Sequence, residues 1–277
     1  MIIWLASYPK SGNTLVRSLL SSYFFSADGI YQFDQIKNIT QFPDVDLFKK
    51  FGVNTDDENE TLNNYIKVQE KINKKKSIQF YKTHSSLFNI SGKAFTDLNN
   101  SFGVIYIVRD PRNIVISWAY HNDISINDSC DYLISQKQTY GNPNVVYHGT
   151  WNYNFQSWKS FKFQKRYLLI KYEDLIKDKK QNFLKILKFI NRFRNEKIFL
   201  DLKKIDNILN TTTFDKMKKK ETEEGFFEAM TDKKSGKKKP FFHMGPDNDW
   251  SKILDVSIRS KIEDAFQTEM KELGYLK

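Results

Sequence analysis

The first 25 residues constrain the fold of this chain more than any other stretch. An apolar run, Ile2-Ile3-Trp4-Leu5-Ala6, leads through Tyr8-Pro9-Lys10-Ser11-Gly12-Asn13-Thr14 into an amphipathic run from Leu15 to Phe25, which is the pattern of strand, tight loop and helix. A helix that starts near Asn13 or Thr14 leaves its first backbone N–H groups without intrahelical acceptors, and their aligned dipoles attract an anion. Lys10 adds a full positive charge, and Ser11 and Thr14 add hydroxyls. Gly12 lets the backbone turn tightly and approach a ligand. The nucleoside-triphosphatase loop reads Gly-x-x-x-x-Gly-Lys-[Ser/Thr], whereas here the lysine precedes the only glycine. The expected ligand is phosphate-like, and a kinase is not the first reading.

Three further strands follow. Ser77 to Thr83 ends at Lys82-Thr83-His84, and Gly103 to Val108 is uncharged and β-branched, followed at once by Arg109-Asp110-Pro111. Tyr167 to Lys171 runs into Tyr172-Glu173-Asp174. Asp110 is placed to cap a helix beginning at Pro111, whose buried stripe is Ile114, Val115 and Trp118, with Asn113, Ser117 and His121 on another face. Helical rhythm also marks the stretch containing Leu62, Tyr65 and Ile66, and the ranges 127–138, 150–163, 180–193 and 197–209. A last helix (Ile258, Ile262, Phe266, Leu273) stops at Gly274. Strands alternating with helices give an α/β domain with a mainly parallel central sheet flanked by helices, whose ligands bind at the carboxyl ends of the strands. Lys10, His84 and Arg109 each lie just past such an end.

At 277 residues and 40% hydrophobic content the chain can bury a substantial core, and one domain over 1–277 is expected. A formal charge of +11 favours an anionic ligand, and nucleic acid or an acidic membrane surface fits it equally. The single cysteine, Cys130, excludes an intramolecular disulfide and a multi-cysteine metal site, in keeping with a reducing compartment. The N-terminus enters the first strand directly, so no signal peptide is expected, and no run reaches the roughly 18 apolar residues of a membrane span. A cytoplasmic location is the expectation. Residues 28–76 read as loops and short helices that form either a wall of the substrate pocket or a packed excursion, with an exposed run at Lys74-Lys75-Lys76. Residues 231–240, rich in lysine and without an apolar anchor, read as a mobile basic loop.

Taken together, these residues resemble the sulfotransferases that use 3′-phosphoadenosine 5′-phosphosulfate (PAPS), and the resemblance spans nearly the whole chain. Tyr8 to Thr14 looks like the family's 5′-phosphosulfate loop; Ile107-Val108-Arg109-Asp110-Pro111-Arg112 with Ser117 looks like its 3′-phosphate site. Lys82-Thr83-His84 resembles the segment that carries the catalytic base, Tyr172-Glu173-Asp174 a tyrosine-bearing cofactor contact, and Thr212-Thr213-Phe214 an adenine contact. The resemblance implies a sulfotransferase fold of P-loop-like type, with PAPS as sulfate donor and no metal. It also implies that Lys10, Ser11, Gly12, Asn13, Thr14, Arg109, Ser117, Tyr172, Thr212, Phe214 and Gly245 hold the cofactor. The acceptor is a small molecule, glycan or lipid, and no stable nucleic-acid partner is expected.

The chemistry suits these residue types. Sulfuryl transfer leaves negative charge on the departing phosphate, which Lys10 and the loop amides would stabilise. The attacking hydroxyl must lose a proton, and a neutral histidine is suited to take it; that role falls to His84. Lys82 would steady the sulfuryl oxygens, while Arg109 and Ser117 would grip the 3′-phosphate. His121 and His148 read as structural. Two departures from the family pattern stand out. Leu15 occupies the place of a tryptophan that stacks on adenine, which leaves stacking to Phe214 or another aromatic. Near the C-terminus, Arg-Lys-Gly-x-x-Gly-Asp-Trp is replaced by His243-Met244-Gly245-Pro246-Asp247-Asn248-Asp249-Trp250, which removes two cations; the run from Lys233 to Lys239 either replaces them as a lid or stays solvated. The rival reading is a catalytically weak nucleotide- or nucleic-acid-binding protein that retains the cradle.

Overall fold

A computed structural model describes residues 1–75, 77–135, 139–141, 144–194, 200–232 and 235–277. Lys76, the end of the expected helix 127–138, the starting turn of 197–209 with Ile198, and Lys233-Lys234 of the basic loop lie outside the described residues.

Four strands, β1 (Ile2–Ser7), β2 (Gln79–Thr83), β3 (Ser101–Val108) and β4 (Tyr167–Lys171), form one parallel sheet in the order β2-β1-β3-β4. Every residue of β1 is buried, which explains its unbroken apolar run: a central parallel strand is covered on both faces. Alternate side chains serve two cores. Trp4, Val104 and Tyr106 pack with Phe95, Phe155 and Trp158 on one face. Ile3, Leu5, Ile105, Ile107 and Ile170 pack on the other against Val16, Leu19, Phe183 and Leu187. The expected aromatic stripe Trp151, Phe155 and Trp158 is core, on a helix Trp151–Trp158 that tightens into a 3-10 turn at Lys159–Lys162.

Helix α1 (Asn13–Phe25) follows β1, and α2 (Pro111–Asn122) follows β3, its first turn capped by Asp110, which accepts from the Arg112 N–H. From β1 the chain crosses to one side to make β2, then returns past β1 to make β3. The carboxyl ends of β1 and β3 therefore border the place where the connections diverge, the usual site of a ligand crevice in such sheets. Thr40 to Phe42 add a short edge to β2: the Lys82 N–H donates to the Thr40 carbonyl (2.9 Å) and the Phe42 N–H to the Lys82 carbonyl (2.8 Å). Helix α3 (Phe214–Glu224) carries a third, smaller cluster in which Met217 meets Tyr31, Phe33, Phe226, Ala229 and Phe242. Phe226 and Phe242 thus anchor both flanks of the basic loop, whose described residues turn back through the Thr231–Lys238 bridge. The final helix is broken at Phe266 into Val256–Ala265 and Gln267–Glu272.

Candidate functional site

A cavity of about 930 Å³ opens at the carboxyl ends of β1, β2 and β3. Its wall brings together Lys10, Gly12, Asn13 and Thr14 from the first loop with Lys82, His84, Arg109 and Ser117. Tyr172, Thr212, Phe214 and Gly245 complete the expected set on the same wall. Ser11 is the exception: it is fully buried and absent from the lining, and its Oγ has no hydrogen-bond partner among the described residues, so the hydroxyl presented to the cavity is that of Thr14. From residues 28–76, Gln41 lines the cavity, and Val146 and His148 do so from the stretch 141–148, of which 142–143 lie outside the described residues.

The loop is built to hold its shape without a ligand. Lys10 (φ 66°) and Gly12 (φ 97°) both take left-handed backbone, costly for the lysine and free for the glycine. The Asn13 amide is spent inward, donating to the Leu5 carbonyl (2.8 Å) and Ser7 Oγ (3.2 Å), so a ligand would meet its backbone N–H rather than its side chain. Arg109 donates to the Lys10 carbonyl (3.1 Å) and thereby ties the end of β3 to the loop after β1. Burial, then the charge of Lys82, pushes the Lys10 ammonium down to about 8, which leaves it cationic at neutral pH but poised for an anion.

His84 has a defined tautomer. Its Nδ1 lies 2.9 Å from the Ser7 carbonyl and 3.2 Å from Ser7 Oγ; the nearer carbonyl can only accept, which puts the proton on Nδ1 and a lone pair on Nε2. Burial, reinforced by Lys82, holds the imidazole well below its ordinary pKa and therefore neutral. His121 and His148, read from the sequence as structural, also line the cavity and are held neutral by burial, pushed down to about 4 and about 3.

Arg109, 6% exposed, also donates to Ser117 Oγ (3.4 Å) and toward the Gly245 carbonyl (3.5 Å), and its Nε has no partner among the described residues. Its guanidinium lies 4.3 Å from the centroid of the Tyr172 ring. A Cβ at Gly12 would overlap that same ring, so Tyr172 wedges the first loop against Arg109. In the altered C-terminal segment His243 stacks on Tyr120 with ring centroids 3.7 Å apart, and His243 and Met244 both line the cavity. Lys238 and Lys239 are absent from the lining; their ammonium groups donate to the carbonyls of Ala229 (3.0 Å) and Tyr120 (2.7 Å). Asp249 caps the turn at Trp250, whose ring lies 3.8 Å from the Arg112 guanidinium. Phe214 packs on Gly245, where a Cβ would overlap its ring, and Thr212 turns its hydroxyl to the Ile208 carbonyl (2.7 Å).

Several site residues were not anticipated. Glu228 lines the cavity and meets Arg17 at 2.6 Å and Lys82 at 3.7 Å; these cations pull its carboxyl down to about 2 despite burial. The one sequence signal for it is an acid set between Phe226-Phe227 and Ala229-Met230. Asn248, 5% exposed, donates to Ser117 Oγ (2.8 Å) and the Asn113 carbonyl (2.8 Å). Lys179 donates to the Leu209 and Thr212 carbonyls (2.8 and 3.0 Å) behind Thr212. No group of three or more potential metal ligands occurs among the described residues.

Fold and site define an α/β protein of P-loop-like type with a cationic ligand crevice at the ends of its parallel strands. The sulfotransferase domain matches residues 2–274, and the chain belongs to that family. It is 23% identical over 276 residues to sulfotransferase 1E1 of Rattus norvegicus, which covers 96% of this chain and 82% of the relative. It is 22% identical to the amine sulfotransferase of Oryctolagus cuniculus, over 98% of this chain and 81% of the relative. Among solved structures, mouse sulfotransferase SULT7A1 complexed with PAP superposes with a TM-score of 0.62 at 19% identity, over 97% of this chain and 83% of that one.

Proposed function

We propose that this chain transfers a sulfuryl group from PAPS to an acceptor hydroxyl, an amine being the secondary acceptor, with His84 as general base. The observation that carries the reading is the fixed tautomer of His84: a neutral imidazole with its Nε2 lone pair free shares one cavity with Lys10, Lys82 and Arg109. PAPS, when bound, supplies the activated sulfuryl group and a phosphate leaving group.

The residues present fit such a donor. The unpartnered Nε of buried Arg109 leaves a cationic donor for a phosphate, and the bare Gly12 and Gly245 let the Tyr172 and Phe214 rings close against the cavity wall. Fold neighbours, SULT7A1 and a retinol dehydratase, were solved with PAP. In this reading Lys10, Thr14 and the first amides of α1 hold the 5′ end, and Arg109 with Ser117 holds the 3′-phosphate, braced by Tyr172 and Asn248. Phe214 and Thr212 border the adenine. His84 takes the acceptor proton at Nε2, and the Ser7 carbonyl holds the other side of the ring through Nδ1–H. A volume of about 930 Å³ admits a small-molecule acceptor beside a nucleotide. No helix among the described residues is long and apolar enough to cross a membrane, and a cytoplasmic location belongs to the proposal.

Two measurements test it together. The protein is expected to bind 3′-phosphoadenosine 5′-phosphate at least about tenfold more tightly than AMP, with Arg109→Ala removing most of that preference. His84→Ala is expected to lower transfer by about 10²-fold or more with nucleotide affinity nearly unchanged. Equal affinity for the two nucleotides refutes the donor assignment. The loss of two cations at His243-Met244 and the charge of +11 favour a second reading, a nucleic-acid-binding protein. That reading expects RNA affinity to fall steeply with salt and no sulfuryl transfer to any acceptor.

A further inference from the structure

Glu228 is an acid in a crevice built for anions, and the proposed roles leave it unused. Its surroundings form a relay of fixed contacts. The Arg17 guanidinium is pinned by the Ile39 carbonyl (3.1 Å from Nε, 2.9 Å from NH2) and the Ile36 carbonyl (3.3 Å), and its remaining nitrogen holds Glu228 Oε1 at 2.6 Å. The same oxygen lies 3.7 Å from Lys82 Nζ, and Oε2 accepts from Thr14 Oγ1 at 3.4 Å. The side chains of Arg17, Lys82 and Glu228 are 3%, 13% and 19% exposed, so solvent screens the relay little. The Lys82 backbone is held on both sides, by Leu5 of β1 and by Thr40 and Phe42. Only its side chain is left to be aimed.

We propose that Glu228 is a positioning residue for transfer: acting through Lys82, it aims that ammonium at the reacting group and keeps it charged. The proposal rests on the sulfotransferase reading of the cavity. The groups around Lys82 make the need plain. Lys10 from the first loop and Arg17 from α1 are cations, His84 beside it and His121 on α2 are neutral, and Glu228 is the acid that faces it. Burial lowers the Lys82 pKa and the Glu228 carboxylate opposes that shift, so without the acid the ammonium loses its proton more readily, and a neutral amine stabilises a sulfuryl oxygen far less. Glu228 is held in turn by Arg17, whose guanidinium is itself fixed by the Ile36 and Ile39 carbonyls.

The test uses Glu228→Gln, which keeps the shape, and Glu228→Asp, which keeps the charge. The Lys82 titration is followed by ¹³Cε NMR of labelled lysine, assigned with Lys82→Arg. Glu228→Gln is expected to lower the Lys82 midpoint by about one pH unit or more, to lower kcat about tenfold with the donor KM changed less than about threefold, and to move the alkaline limb of kcat downward. Glu228→Asp is expected to restore the midpoint in part, and it serves alone if the glutamine variant fails to fold. An unmoved midpoint overturns the proposal. So does tighter donor binding with undiminished kcat, which would make the carboxylate a competitor for the donor's place. Because the titration needs no turnover, a shifted midpoint in a protein that transfers no sulfate refutes the sulfotransferase reading instead.

Discussion

At the scale of single residues, the site is held by side chains that touch both halves of it. Tyr172 is the clearest: its ring fills the space over Gly12 and supports the Arg109 guanidinium, so one aromatic spaces the first loop from the arginine. The ring, not the hydroxyl, makes both contacts. Tyr172→Phe is therefore expected to bind 3′-phosphoadenosine 5′-phosphate as the wild type does, and Tyr172→Ala to bind it about tenfold more weakly, from a cation–π contact of about 0.5–2 kcal/mol; titration calorimetry distinguishes them. Residues within the Lys10–Thr14 loop were legible because a loop's chemistry is local. Ser11 turns its hydroxyl inward rather than to the cavity, because which side of a tight turn faces inward depends on packing, and its neighbours Lys10 and Gly12 both have positive φ. Glu228 and Asn248 were illegible for another reason: their partners, Arg17 and Ser117, lie more than a hundred residues away.

At the scale of elements, strands buried on both faces announced themselves by composition, and all four strands of the sheet lie within two residues of the expected ends. Their lateral order did not, because pairing is non-local. The break at Phe266 escaped the periodicity because the apolar spacing runs on through it. Phe226, Ala229 and Phe242 join Tyr31, Phe33 and Met217 in a cluster separate from the two cores on the sheet. A cluster that packs on itself can open without unfolding the domain. Phe226→Ala is expected to lower hydrogen-exchange protection in the described residues of 225–245 by about 2–4 kcal/mol, while global denaturation changes by less than about 1 kcal/mol. Equal losses in both would show that the segment is part of the main core.

At the scale of the whole molecule, buried His148 and half-buried His84 and His121 couple the site to acid stability. His148 (about 3), His121 (about 4) and His84 are all held below the 6.5 of an unfolded chain. Between those values and 6.5 the unfolded chain binds more protons, so stability rises with pH and is lost as pH falls from 6.5 toward 4. Fully buried His148 alone accounts for about 3 kcal/mol over that window. Glu228, depressed to about 2, adds a loss that begins near 4.5 and continues downward. Urea midpoints measured from pH 7 to 4 are expected to fall steadily, and His148→Phe to flatten the upper part of the curve. A flat profile in the wild type would contradict the neutral state assigned to these rings.

The central position of β1 also governs how the protein is made. Ile2 pairs with Gln79 on one side and Ser101 on the other, so no part of the sheet consists of a local hairpin. On a ribosome the first strand finds its partner on one edge only after residue 83 has been made, and on the other only after residue 108. Closing such long loops before any ladder forms makes for slow folding and a long exposure of the Ile2–Ala6 run. The strand that leads into the anion cradle is thus also an apolar segment exposed to aggregation during synthesis.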